Sequence, residues 1–168
     1  MTVEERKNLP ILDLAYKLKL KDMSEARPKD LKYEHTGDCY LCAISSLLNI
    51  DYREVYKGLA DIAYPDCLLP NDSMNVIPKY LYEHHRFITT YYFKRISEYY
   101  KEAYVKDIIE WYSDEELLIC IPKHMVAYRD GIIHDKLFRK DFTDLQYINI
   151  LLRTPVLVTF RRRIIDGR

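Results

Sequence analysis

The chain has 168 residues, with 26 basic and 26 acidic side chains and a formal net charge of zero. This length suits one domain with a full hydrophobic core, and the balanced charge gives no general attraction to nucleic acid or to an anionic membrane. The sequence start is charged and no run approaches the ~18 apolar residues of a membrane span. We therefore expect a cytoplasmic protein with reduced cysteines, and neither nucleic acid nor membrane as a partner.

The first 32 residues are interpreted as an N-terminal extension of a single domain. Within it, residues 16–21 alternate apolar and basic side chains with a period of two. That pattern predicts a short edge strand whose lysines discourage further pairing. Residues 33–112 are predicted to be mainly helical and residues 113–168 mainly β.

Three helices are predicted in the first half of the domain. The run from Cys39 to Asn49 is apolar on most sides, which is typical of a helix buried at the centre of a domain. A second helix is expected after Asp51, whose side chain can cap it. A third reaches about His85, and Pro78 predicts either a kink or a helix start close to it.

Strands dominate the second half. Residues 87–93 predict a strand, residues 103–112 a helix, and the continuous apolar run 117–121 a strand buried on both faces. Residues 142–152 fit neither a helical nor a strand pattern. Residues 155–160 predict a final strand. Helices followed mostly by strands indicate an α+β fold, with a central N-terminal helix packed on an antiparallel β-sheet.

Cys39 is predicted to lie in the first turn of the central helix. Free backbone N–H groups and the positive end of the helix dipole favour a thiolate there. Cys42 gives the pair a CxxC spacing, but Cys67 and Cys120 stand alone and supply no second ligand pair. We therefore expect no metal and no cofactor, and interpret Cys42 as a small core residue.

The dipeptide Asp130-Gly131 predicts a hairpin with a two-residue type I′ turn. Its register places His124 and Asp135 on one face as diagonal neighbours and directs His134 to the other face. Diagonal residues are about 7–8 Å apart, a gap that these two side chains can close.

These residue types fit acyl transfer by a thiolate. An imidazole near Cys39 can take its proton, and a carboxylate can orient that imidazole. The residues in these roles are Cys39 as nucleophile, His124 as base and Asp135 as the orienting acid. The backbone N–H of Cys39 can donate to the developing oxyanion.

The Gly-Asp-Cys motif ending at Cys39 and the motif His-x-Val-Ala-x-x-Asp-Gly-x-x-x-Asp from His124 to Asp135 resemble the papain-like cysteine peptidase superfamily. The resemblance covers roughly residues 33–135 and is closest to the small phage-type members and the C39-like peptidases. It implies a papain-like fold and a hydrolase that cleaves a peptide, isopeptide or related amide bond. The implied partner is a protein or peptide substrate, including a host protein in the host cytoplasm if the chain is phage-encoded.

The sequence departs from that superfamily just before the cysteine. A glutamine oxyanion donor commonly stands about six residues upstream, where this chain has Tyr33, and residues 9–48 contain no Gln or Asn. Tyr33, His35 and Asp38 are the supporting candidates, and Asp38 is more simply a helix cap. The departure leaves open a catalytically weak or inactive scaffold that binds a protein, as a viral factor against host defence. Acyl transfer to an amine is a third alternative.

Two compositional features are left without a specific role. The 16 tyrosines are expected mainly at half-buried core edges, with an interaction surface as the minor alternative. The run from Arg161 to Arg163 is interpreted as the solvated end of a strand.

Overall fold

A computed structural model describes residues 13–31, 38–63, 76–92, 102–136 and 142–164. The helices are residues 13–17 (α1), Cys39–Leu48 (α2), Tyr52–Ala63 (α3), Val76–His85 (α4), Val105–Trp111 (α5) and Asp144–Leu152 (α6), with a 3₁₀ helix at Met23–Ala26. The strands are Lys19–Asp22 (β1), Ile88–Tyr91 (β2), Glu115–Ile121 (β3), His124–Arg129 (β4), Ile132–Asp135 (β5) and Val158–Arg163 (β6). Within these ranges no helix has both the length and the apolar character needed to cross a membrane.

The strands form one mixed sheet in the order β1-β5-β4-β3-β6-β2. The expected α+β class is confirmed, but the sheet is not wholly antiparallel, because β1 pairs with β5 in parallel. No hairpin joins these two strands, which are more than 100 residues apart in the chain, so their direction is not restricted to antiparallel. The edge strand is confirmed, although it begins at Lys19 because residues 13–17 are helical.

Each face of the sheet carries its own hydrophobic core. Leu118 and Ala127 face the side covered by α2, α3 and α4. Leu117 and Val126, their neighbours along the strands, face the side covered by α5 and α6. The prediction that β3 is buried on both faces is confirmed, because Leu117, Leu118 and Ile119 have no solvent exposure.

The helix boundaries mostly follow local signals. α2 spans Cys39–Leu48 as predicted and ends where Asn49 adopts a left-handed conformation (φ 53°). Asp51 caps α3, because its carboxylate accepts the backbone N–H of Arg53 at 2.8 Å. α4 begins at Val76, which places Pro78 in the first turn, where its missing N–H is tolerated.

Two segments differ from the sequence prediction. The ambiguous residues 142–152 contain α6, which opens with a reciprocal capping box between Thr143 and Gln146. β6 begins at Val158 rather than at residue 155 and continues through the basic run to Arg163. Arg162 is buried and pairs with Glu116 of β3, so the solvated strand end predicted for that run is wrong at its central residue.

Candidate active site

Cys39 is the first residue of α2, and its side chain is partly exposed. Its thiol interacts with the His124 side chain and with the backbone N–H of Met125. Burial by itself would raise the pKa of Cys39. The His124 bond and charge, the Met125 N–H and the charge of Lys136 outweigh it and hold that pKa below the usual value.

His124 joins Cys39 to Asp135. Its Nε2 lies 2.5 Å from Oδ1 of Asp135, which leaves Nδ1 as the ring nitrogen available to the thiol. Burial would lower the pKa of His124, but the hydrogen bonds and charges of Asp135 and Cys39 raise it to about 9. A lowered cysteine pKa and a raised histidine pKa both shift the equilibrium towards a thiolate–imidazolium pair.

The predicted hairpin accounts for this proximity. Asp130 and Gly131 both have positive φ (50° and 79°), as a type I′ turn requires. The register pairs Ala127 with His134, as predicted from the turn. The diagonal contact between His124 and Asp135 follows from that register and is confirmed by their hydrogen bond.

His134 faces the other side of the sheet. Its Nδ1 lies 2.8 Å from the Ser46 hydroxyl oxygen of α2. Burial, with the nearby charge of Lys21, lowers the pKa of His134 to about 4. This histidine is therefore neutral at pH 7 and does not join the Cys39 group.

Three donors surround the fully buried carboxylate of Asp135. They are the ring of His124, the backbone N–H of Lys136 at 2.7 Å and the hydroxyl of Tyr147. Sequence reasoning missed Tyr147 because it lies in α6, the segment whose pattern was ambiguous. These bonds fix the carboxylate in the position that orients His124.

Asp38 occupies the N-cap position of α2, but its side chain makes no capping hydrogen bond, so the predicted cap is wrong. The carboxylate is bound by Arg27 through two bonds of 2.7 Å, by Lys136 Nζ at 2.6 Å and by the Tyr52 hydroxyl at 3.0 Å. Burial raises the pKa of Asp38, but the bonds from Arg27 and Lys136 hold it well below the usual value. Two cations compete for this carboxylate more strongly than neutral backbone N–H groups do.

Lys136 connects the two parts of the site. It directly follows Asp135, so strand alternation turns its side chain towards the α2 side of the sheet. The side chain is 4% exposed and ends on Asp38, and its charge also lowers the pKa of Cys39. Strand alternation could have predicted the direction of the Lys136 side chain from the sequence. No sequence pattern predicts the contact of Arg27 with Asp38.

The other described cysteines have a different environment. Burial raises the pKa of Cys42 to about 12, assisted by Asp38, whose Oδ2 lies 3.6 Å from the Cys42 sulfur. Burial likewise raises the pKa of Cys120 to about 12, with the Cys39 charge adding to it. Cys39 is therefore the one thiol of these three with a lowered pKa.

Several predicted positions lie outside the described residues, namely Tyr33 and His35, as well as Cys67. Among the described residues, no three His, Cys, Asp or Glu side chains are grouped so as to hold a metal ion.

Comparison of the chain with protein-family models, with curated proteins and with solved structures found no match.

Proposed function

We propose that this protein is a papain-like cysteine hydrolase that cleaves a peptide, isopeptide or related amide bond. One observation carries the proposal: His124 interacts with the Cys39 thiol and also lies, through Nε2, 2.5 Å from Oδ1 of Asp135. Cys39 and His124 have the protonation tendencies that thiol catalysis needs, a lowered pKa for the nucleophile and a raised pKa for its partner.

In the proposed reaction, the Cys39 thiolate attacks the amide carbonyl carbon and a C–S bond forms. The carbonyl oxygen takes the negative charge and accepts a hydrogen bond from the Cys39 backbone N–H at the start of α2. The His124 imidazolium then donates its proton to the leaving nitrogen as the C–N bond breaks, which leaves a thioester on Cys39.

Water then hydrolyses the thioester. Neutral His124 removes a proton from the water, whose oxygen attacks the thioester carbonyl. The C–S bond breaks, the carboxylic acid product leaves, and the thiolate–imidazolium pair is restored. Throughout, Asp135 keeps Nε2 of His124 occupied, so that Nδ1 exchanges the proton.

The architecture also supports a papain-like assignment. The nucleophile stands at the start of the buried helix α2, which packs on β4, and the base is the first residue of that strand. The acid follows on β5 after a two-residue turn. The Asp38 cluster with Arg27 and Lys136 adds positive charge near the thiolate.

Alkylation by iodoacetamide tests the proposal directly. We expect Cys39 to react faster than Cys42, Cys67 and Cys120, with a midpoint below the ~8.5 of a free thiol, as mapped by peptide mass spectrometry at several pH values. His124→Gln should move that midpoint upward, whereas the exposed control His84→Gln should not. Cys39 reacting no faster than Cys67 would remove the basis of the proposal.

A second experiment tests whether the protein cleaves a substrate. A library of internally quenched peptides, incubated with the protein and with Cys39→Ser, should yield cleavage only with the parent protein. Fast alkylation of Cys39 without cleavage of any peptide or isopeptide would favour the alternative, a papain-like scaffold that binds a protein. The missing upstream glutamine supports that alternative, as do exposed aromatic side chains such as Tyr16 and Tyr82.

A further inference from the structure

A cleft lies away from the Cys39 group, at the opposite ends of α2 and β4. It has a volume of about 800 Å³, within the range of about 300–1,000 Å³ that is typical of small-molecule sites. Its walls come from the C-terminal ends of α2 and α4 and from strand ends that include Glu116, Arg129 and Arg162.

The lengths of α2 and β4 give the distance between this cleft and Cys39. α2 has ten residues with Cys39 at its first position, so its other end lies about 15 Å away. β4 begins at His124 and ends at Arg129, which gives a similar separation of about 17 Å. The cleft is therefore a separate feature and not a subsite that touches the reacting thiol.

The charges that line the cleft are strongly unbalanced. Four arginines line it with a single glutamate, Glu116. That glutamate already accepts from Arg129 Nη1 at 2.9 Å and from Arg162 Nε at 2.7 Å. The Arg162 guanidinium also donates to the His85 carbonyl at 2.8 Å, so this residue has a structural role.

Arg86 and Arg163 provide two of the three surplus positive charges. Both line the cleft and both are exposed, and within the described part of the chain no carboxylate lies at ion-pair distance from either. Arg86 has a positive φ (62°) directly after α4 and lies 5.9 Å from the Tyr82 ring. Guanidinium groups present paired N–H donors that match the oxygens of phosphates and carboxylates.

We propose that this cleft binds a small anionic molecule that carries phosphate or carboxylate groups. Arg86 and Arg163 make its charge-assisted hydrogen bonds, and the Arg129–Glu116–Arg162 row across three neighbouring strands forms the rigid floor. The proposal does not depend on the chemistry assigned to Cys39.

Isothermal titration with pyrophosphate and with citrate, at fixed ionic strength in a chloride buffer, tests this site. We expect one-to-one binding of at least one probe. Tighter binding of pyrophosphate identifies a phosphate site, and tighter binding of citrate a carboxylate site. Absence of saturable binding by both probes overturns the proposal.

Matched variants locate the binding. Arg86→Gln and Arg163→Gln should each weaken it about tenfold, since a hydrogen bond to a charged group contributes enough for that loss. The double variant Arg53→Gln/Arg153→Gln removes two exposed arginines elsewhere and should leave affinity within about twofold. If the cleft and control variants weaken binding equally, the anion is attracted to positive charge in general, and the proposed site is overturned. Circular dichroism of every variant confirms that the fold is retained.

Discussion

At the scale of single residues, the environment of each thiol separates Cys39 from the other cysteines that the structure describes. Cys39 and Cys42 are one helical turn apart, yet the pKa of Cys39 is lowered and that of Cys42 is raised to about 12. The neighbours account for this difference, because Cys39 contacts His124 and Cys42 contacts the carboxylate of Asp38. Reactivity at this site is therefore a property of the contacts and not of the CxxC spacing.

Asp135→Asn should lower the pKa of His124. The raised value of about 9 depends on the negative charge of Asp135, and an amide keeps the shape of the side chain without that charge. We expect a decrease of about 1–2 pH units, measured by NMR titration of the His124 ring. The exposed turn variant Asp130→Asn is the control. If both variants leave the titration of His124 unchanged, the two side chains are not coupled.

Lys136→Met should destabilise the fold and raise the pKa of Cys39. The variant removes one of two cations from the buried Asp38 carboxylate, which retains Arg27. We expect a loss of about 1–3 kcal/mol in the free energy of unfolding, measured in urea at pH 7, and slower alkylation of Cys39 at pH 6.5.

Lys106→Met is the matched control for that measurement. Lys106 forms a surface pair with Glu110 at 3.6 Å, and such pairs contribute about 0.5 kcal/mol. If Lys136→Met is as stable as Lys106→Met, the buried pair makes no net contribution to the free energy of unfolding.

At the scale of the elements, the close packing of α3 against α4 requires a residue without a Cβ atom at Gly58, which helix propensity does not predict. Gly58 lies within α3, where alanine normally stabilises a helix by about 1 kcal/mol. A Cβ atom at residue 58 would come within 2.4 Å of Cε2 in the Tyr80 ring. Tyr80 is almost fully buried and its hydroxyl bonds to His85, so the ring has little room to move.

Gly58→Ala should therefore destabilise the protein instead of stabilising it. We expect a net loss of about 1–3 kcal/mol from the overpacked contact, measured by urea unfolding. Lys57→Ala changes an exposed neighbour in the same helix and should stay within about 0.5 kcal/mol of the parent. A stabilised Gly58→Ala variant would show that α4 can shift to accept the methyl group.

At the scale of the whole molecule, the sheet separates groups that respond to pH in opposite ways. His124 has a raised pKa, so its stabilising contribution is complete below about pH 6.5 and is lost as the pH rises through about 9. His134 has a lowered pKa of about 4, so between pH 6.5 and 4 the unfolded chain binds more protons. Its contribution to stability therefore decreases as the pH falls through that interval.

His134→Gln should reduce the loss of stability on mild acidification. From pH 6.5 to pH 4.5, we expect the parent to lose about 1–3 kcal/mol more than the variant, because glutamine does not titrate. Urea unfolding at both pH values measures the difference. The exposed His84→Gln variant serves as control and should lose as much as the parent. Parallel losses in all three proteins would show that His134 accepts its proton without cost.

Local sequence patterns predicted much of the architecture. The apolar run after Cys39 predicted α2, and Asp130-Gly131 predicted the hairpin register that brings His124 and Asp135 together. Both predictions succeeded because a helix period and a two-residue turn depend on neighbouring residues alone. The parallel pairing of β1 with β5 had no such local signal, and it was predicted wrongly as part of an antiparallel sheet.

The sequence by itself determined the local geometry of this protein: a cysteine at a helix start and a histidine and an aspartate on one face of a hairpin. Only the tertiary structure decided which distant groups surround them. Arg27 and Lys136 bind Asp38 and withdraw it from the capping role, and Tyr147 bonds to Asp135 from a helix that local patterns left ambiguous. The physical reason is that a buried charge takes the strongest donors that folding brings to it, whatever their separation along the chain.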